Sequence, residues 1–187
     1  MPLLQHEVGT HVVTFYNGRA QPLELFSIGV PGYEELQEGL AVFAEYLTGG
    51  LTKSRMRTLA ARVIAVDEMV SGKSFKDTFQ LLTEKYHFKE KNAFNLCMRV
   101  YRGGGLTKDA VYLKGLLNII EYIRQGKDLA QLLIGKIRQD YLPIVQELVH
   151  RRILKKPLVT PRFLFPEYSE KLEKVKNDGN IFKMIND

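Results

Sequence analysis

His6-Glu7-Val8-Gly9-Thr10-His11 puts two imidazoles and a carboxylate within six residues. Two imidazoles on one helical segment can both reach a zinc ion at about 2.0–2.1 Å. A carboxylate beside the first ligand can then take a proton from water activated there. The familiar form of this motif spaces its histidines four apart, on one face of a helix. Here the spacing is five, which on a regular α-helix turns the second imidazole roughly 140° away from the first. The motif therefore predicts a local widening of the helix, such as a π-turn, between the two ligands. Gly9 lies inside that gap, where an unhindered backbone would make the distortion cheap. The competing reading is two surface histidines near the start of the chain.

A third ligand is expected from a separate helix. Glu38, within Gln37-Glu38-Gly39-Leu40-Ala41, fits that role, and its small neighbours would let the metal-bearing helices approach closely. Glu34, Glu35 and Glu45 lie on the same predicted helix, and the residue types alone do not choose among them. Two imidazoles and a carboxylate also suit iron, cobalt or nickel.

A second segment of interest runs from Tyr101-Arg102 through Gly103-Gly104-Gly105 to Leu106-Thr107-Lys108. A glycine loop that leads into a helix offers backbone N–H groups to an anion. Arg102 could hold a carboxylate through two hydrogen bonds, and Lys108 could add charge. The same residues equally describe a capped helix after a loop. Tyr112, one turn further on, is a candidate hydrogen-bond donor to a developing oxyanion, or a packing residue. Cys97 reads as a buried small hydrophobe, and as the only cysteine it excludes both an intrachain disulfide and a cysteine-based zinc site.

HEVGTH, NGRAQP, QEGLAVFAEY, YRGG and LTKDAVYLKG, in this order over roughly residues 5–125, resemble the QEGLA-motif family. That family includes the microtubule-associated tyrosine carboxypeptidases, which remove a C-terminal aromatic residue from tubulin. The resemblance implies that His6, His11 and Glu38 are zinc ligands and that Glu7 is the catalytic carboxylate. The chain departs from the family in length, with five residues before the zinc motif where its members have a substantial region.

The elements that must position these groups read as almost entirely helical. A first helix is expected over residues 3–15, stopped by Asn17-Gly18. Residues 18–31 form an irregular connection with a short strand at 23–28. A helix over 33–47 carries Glu38. Thr52 caps a helix to residue 70, and Ser74 with Asp77 opens another to about 86 as an acidic capping box. A fifth helix covers 90–101. The sixth buries a stripe of Leu113, Leu116, Leu117, Ile120 and Ile123. Short helices follow from 128 and over 140–153, then an extended strap over 156–166 and a polar helix near 167–175.

The 187 residues carry 45% apolar and 26% charged side chains and a formal charge of +6, ordinary for one globular protein. No apolar run reaches the roughly 20 residues that span a bilayer, and no signal peptide opens the chain. A cytoplasmic location is expected, with no membrane contact. The positive balance favours acidic partners, but no nucleic-acid-binding signature accompanies it.

The expected fold is thus mainly α: the helical part of a zincin-like metallopeptidase without its sheet-bearing N-terminal part. Residues 1–153 would form the zinc-binding peptidase-like domain, and 154–187 a strap and short helix packed on it or extending from it. The expected function is a zinc carboxypeptidase that acts on acidic protein or peptide tails. Glu7 and Tyr112 are its catalytic candidates, and Arg102 and Lys108 would hold substrate. By itself the chain is expected to be incomplete and nearly inactive, its site completed by an N-terminal region or a partner chain. The rival readings are a basic helical binding module with a structural or vestigial metal site, and a nucleic-acid-binding domain whose affinity would fall with salt.

Overall fold

Helix dominates residues 2–102 and 106–185, which the computed structural model describes, and among them no β-strand occurs beyond an isolated bridge at Thr52. The protein is mainly α. Its chain divides into two compact units, one built from residues 1–52 and 114–187, the other from 53–113. The segment 154–187 belongs to the first unit.

The first helix departs from expectation at its end. Pro2–Leu4, Gln5–Val12 and Val13–Arg19 run on without a break, so Asn17-Gly18 does not stop it. Both residues answer to tertiary contacts instead. A Cβ on Gly18 would overlap the Phe26 carbonyl, so only glycine permits this approach. Asn17 is fully buried, and its amide nitrogen donates to the carbonyls of Leu133 at 2.9 Å and Val159 at 3.0 Å. Its amide oxygen accepts from the backbone N–H groups of Leu158 at 3.0 Å and Val159 at 2.8 Å. Gln21 makes a similar pair with Lys155, donating to its carbonyl at 3.0 Å and accepting from its N–H at 2.9 Å. The two side chains hold down the strap that follows residue 155. A segment without ladder partners must satisfy its backbone in this way.

The strand expected at 23–28 is a helical turn, Leu25–Ile28. A strand would bury alternate residues, whereas adjacent Phe26 and Ser27 are buried here and Ile28 is 68% exposed. Glu34–Leu47 crosses the first unit and is buried from Leu36 to Leu47. Its Gly39 lies against Gly115 of the helix Val111–Arg124, where a Cβ would meet the Gly115 carbonyl. The small residue beside Glu38 thus serves that crossing rather than the metal-bearing segment. On Val111–Arg124 the buried residues are Tyr112, Leu116, Ile119, Ile120, Tyr122 and Ile123, while Leu117 is 47% exposed. The inward stripe thus keeps Leu116, Ile120 and Ile123 of the expected set, loses Leu117 and the half-buried Leu113, and gains Tyr112, Ile119 and Tyr122.

In the second unit, Lys53–Val70 packs against Glu90–Tyr101 around Ala61, Leu82, Ala93, Leu96 and Cys97. Ser74 opens Phe75–Gln80 with the expected capping box to Asp77. Burial pushes the Cys97 thiol up to about 11, which leaves it an inert packing residue.

The Asn17 clamp makes a specific forecast. Asn17→Ala removes four hydrogen bonds from a fully buried side chain to backbone groups and should cost about 3–4 kcal/mol. Urea unfolding should show a lower midpoint, and the amides of Leu158 and Val159 should lose hydrogen-exchange protection. An unchanged midpoint would mean that the strap is held by something else.

Candidate metal centre

The widening that the histidine spacing requires is present, since Gln5–Val12 is a π-helix. Bonding from each residue to the fifth before it carries residues five apart round to one face. Val13 N–H accordingly reaches Val8 O, and the Thr10 hydroxyl donates to Gln5 O at 3.2 Å. Gly9 contributes room rather than unusual dihedrals. A Cβ there would lie 2.6 Å from Gln5 Oε1 and 3.4 Å from the Phe163 ring, the strap residue packed beneath the segment.

His6 and His11 both face Glu34–Leu47. His6 Nε2 lies 3.6 Å from Glu38 Oε2, and His11 Nε2 lies 3.7 Å from the same oxygen. The three ligand atoms fall within 4.8 Å of one another. A tetrahedral ion with donors at about 2.0–2.1 Å separates them by about 3.3–3.5 Å, so these residues need only a small contraction to hold one. Two imidazole nitrogens and one carboxylate oxygen are the donor set of a first-row divalent metal, and three protein ligands leave a fourth position open.

Around this triad the polar groups are ordered. His6 is buried, and its Nδ1–H donates to Glu45 Oε1 at 2.7 Å, which points Nε2 at Glu38. Burial pulls the His6 pKa down, but hydrogen bonds and charge from Glu38 and Glu45 outweigh it and set it at about 9. His11 is partly open to solvent, with Nδ1 3.4 Å from Gln37 Oε1. The Thr14 hydroxyl donates to that Gln37 oxygen at 2.7 Å and so fixes its orientation. Glu7 differs from its neighbours. Its side chain is 61% exposed, and Oε1 stands 4.0 Å from His6 Nε2, beside the triad but facing solvent.

His6, Glu7, His11 and Glu38 are thus brought together within the first unit. Arg102, Lys108 and Tyr112 belong to the second. Arg102 and Lys108 are exposed, whereas Tyr112 is buried, its hydroxyl accepting from Arg99 Nη2 at 3.4 Å. The glycine loop 103–105 lies outside the described residues. Glu35, a competing carboxylate, is occupied elsewhere, by Lys114 at 2.7 Å and Asn118 at 2.6 Å. Glu45 is the residue whose part the sequence did not single out. Its position two turns beyond Glu38 on a helix buried along its length was the available signal.

The family described as "Microtubule-associated tyrosine carboxypeptidase" matches residues 1–179. A rat protein named Microtubule-associated tyrosine carboxypeptidase 1 is 29% identical over 193 residues, which cover 96% of this chain and 39% of the rat protein. A mouse protein of the same name is 29% identical over 131 residues, covering 64% of this chain and 27% of its own. The chain thus spans about two fifths of the length of the rat protein.

Two outcomes are expected at the centre. Glu45→Gln keeps the size of the His6 partner but removes its charge, and should weaken divalent-metal binding about 10–100-fold by calorimetry without unfolding the chain. Wild-type affinity in that variant would mean that Glu45 only fills space. A proton and a metal cannot share His6 Nε2. Metal affinity should therefore fall about tenfold for each pH unit below 9, as the raised His6 pKa requires. A flat profile between pH 6 and 8 would show that His6 is not a ligand.

Proposed function

The chain belongs to the family of the microtubule-associated tyrosine carboxypeptidases, and from that membership we propose that it is a zinc-dependent metallopeptidase releasing a residue from the C-terminus of a protein or peptide. The observation that carries the reading is the convergence of His6, His11 and Glu38 on one point, with the exposed Glu7 carboxylate beside it. Three ligands with an open fourth position favour a catalytic over a structural metal.

When bound, zinc would supply Lewis acidity to the scissile carbonyl and lower the pKa of water. The protein's own groups do the rest. Glu7 accepts a proton from the attacking water and returns it to the leaving amine, so no net charge accumulates. Its solvent exposure suits that part, because a carboxylate in contact with water can pass protons to and from solvent between turnovers. Glu45 holds His6 in one tautomer, and Gln37 with Thr14 does the same for His11. Arg102 and Lys108 are the proposed anchors for the terminal carboxylate of the substrate, and Tyr112 the proposed donor to the oxyanion. An acidic substrate tail accords with the formal charge of +6. The tyrosine in the relatives' name makes a peptide ending in tyrosine the first substrate to try.

Mass spectrometry of such a peptide, incubated with zinc-loaded protein, should show loss of the terminal residue alone, abolished by a chelator and restored by zinc. Glu7→Gln should retain stoichiometric zinc while turnover drops by a factor of about 10² to 10⁴. Normal turnover in Glu7→Gln would remove Glu7 from the mechanism. Zinc-loaded protein that binds the peptide yet leaves it intact would overturn the peptidase reading.

A further inference from the structure

The second unit contains a group of charges that the proposed chemistry does not use. Arg62 of Lys53–Val70 and Arg99 of Glu90–Tyr101 meet at Asp109, a buried residue of the turn Leu106–Ala110. Arg99 Nε donates to Asp109 Oδ1, and Arg62 Nη1 stands 3.7 Å from the same oxygen. Both guanidinium groups also lie by the ring of Tyr112, at 5.0 Å for Arg62 and 6.0 Å for Arg99. Two cations therefore share one carboxylate oxygen and one aromatic ring, which fixes their positions and leaves a positive charge in excess.

Arg62 is the more deeply placed, with 12% of its side chain exposed. Its Nε is buried and has no hydrogen-bond acceptor. A guanidinium N–H in that condition is rare, because a buried donor loses its water without replacement. Arg62 and Arg99 both line a recess of about 250 Å³, together with Thr58, Asn92 and Asn95. These five side chains can all donate a hydrogen bond, and the apolar Phe88 and Leu96 complete the lining.

We propose that this recess is a binding site for a carboxylate group, held by Arg62 and Arg99 and flanked by Thr58, Asn92 and Asn95. The planar fork of a guanidinium pairs with the two oxygens of a carboxylate in one plane. Burial, and then the neighbouring charge of Arg99, pull Arg62 below the ordinary arginine value, and an anion in the recess would relieve both. The site is made wholly of second-unit residues and does not depend on the peptidase reading.

The test uses the full chain, labelled with ¹⁵N and kept in a chelator, so that metal and peptidase chemistry play no part. Sodium acetate is titrated against sodium chloride at constant ionic strength, and the Nε–Hε cross-peaks of Arg62 and Arg99 are followed. Acetate should move the two peaks together to saturation, with chloride leaving them in place. Arg62→Lys keeps the charge but loses the fork, and should weaken acetate about tenfold or more. If that variant fails to fold, the double variant Asn92→Ala and Asn95→Ala, both exposed positions, should weaken it about threefold or more. A linear, unsaturated drift with acetate would overturn the proposal. So would inorganic phosphate saturating the peaks where acetate does not, or undiminished acetate binding in the folded variant.

Discussion

Glu38 and Glu45 stand seven residues apart on one buried helix, so both carboxylates present to the same side two turns apart. Charges so placed are costly unless matched by positive partners. His6 answers both, one ring nitrogen on each, and much of the surrounding structure follows from that. The imidazole must enter between the two carboxylates, which fixes the register of the first helix against Glu34–Leu47. With His6 so placed, a regular α-helix would turn His11 away from Glu38, and the π-segment removes the conflict. Gly9 and Phe163 give the widened turn its room.

The part of this arrangement legible in the sequence was the part governed by local rules. A five-residue spacing between two histidines demands a wider turn whatever the tertiary context, and the π-helix met that demand. The same holds for the Ser74 capping box and for the ends of the helices Glu34–Leu47 and Lys53–Val70, where Gly49 and Gly72 both adopt a φ of 81°. Reading failed where a residue was chosen by a distant partner. Asn17-Gly18 carries the local signature of a helix end, yet one is fixed by carbonyls more than a hundred residues away and the other by a backbone crossing. Glu38 and Glu45 look alike as letters, and only the family motif singled out the first. The part played by the second came from the direction in which the buried helix faces.

The motifs that carry the family resemblance divide along the same line. HEVGTH and QEGLAVFAEY hold the donors and the carboxylate behind His6. NGRAQP contributes no side chain to the centre; its Asn17 and Gln21 secure the strap whose Phe163 underlies the π-segment. A run of letters can thus mark a family through its mechanical part in holding a site together.

That clamp also sets an order in time. Asn17 leaves the ribosome 141 to 142 residues ahead of the backbone groups that saturate its amide. At synthesis rates of about 5–20 residues per second, the gap is roughly 7–28 s. Throughout it the histidine-bearing segment already exists as chain, but the strap that floors it does not. Closing a loop of that length adds little more entropy cost than closing a short one, so the delay weighs on kinetics more than on final stability. The histidine-bearing helix, made well before the strap, is therefore among the last elements to be locked. Until the strap arrives, a nascent chain carries imidazoles and carboxylates that compete for any divalent ion in reach without the frame that selects among them.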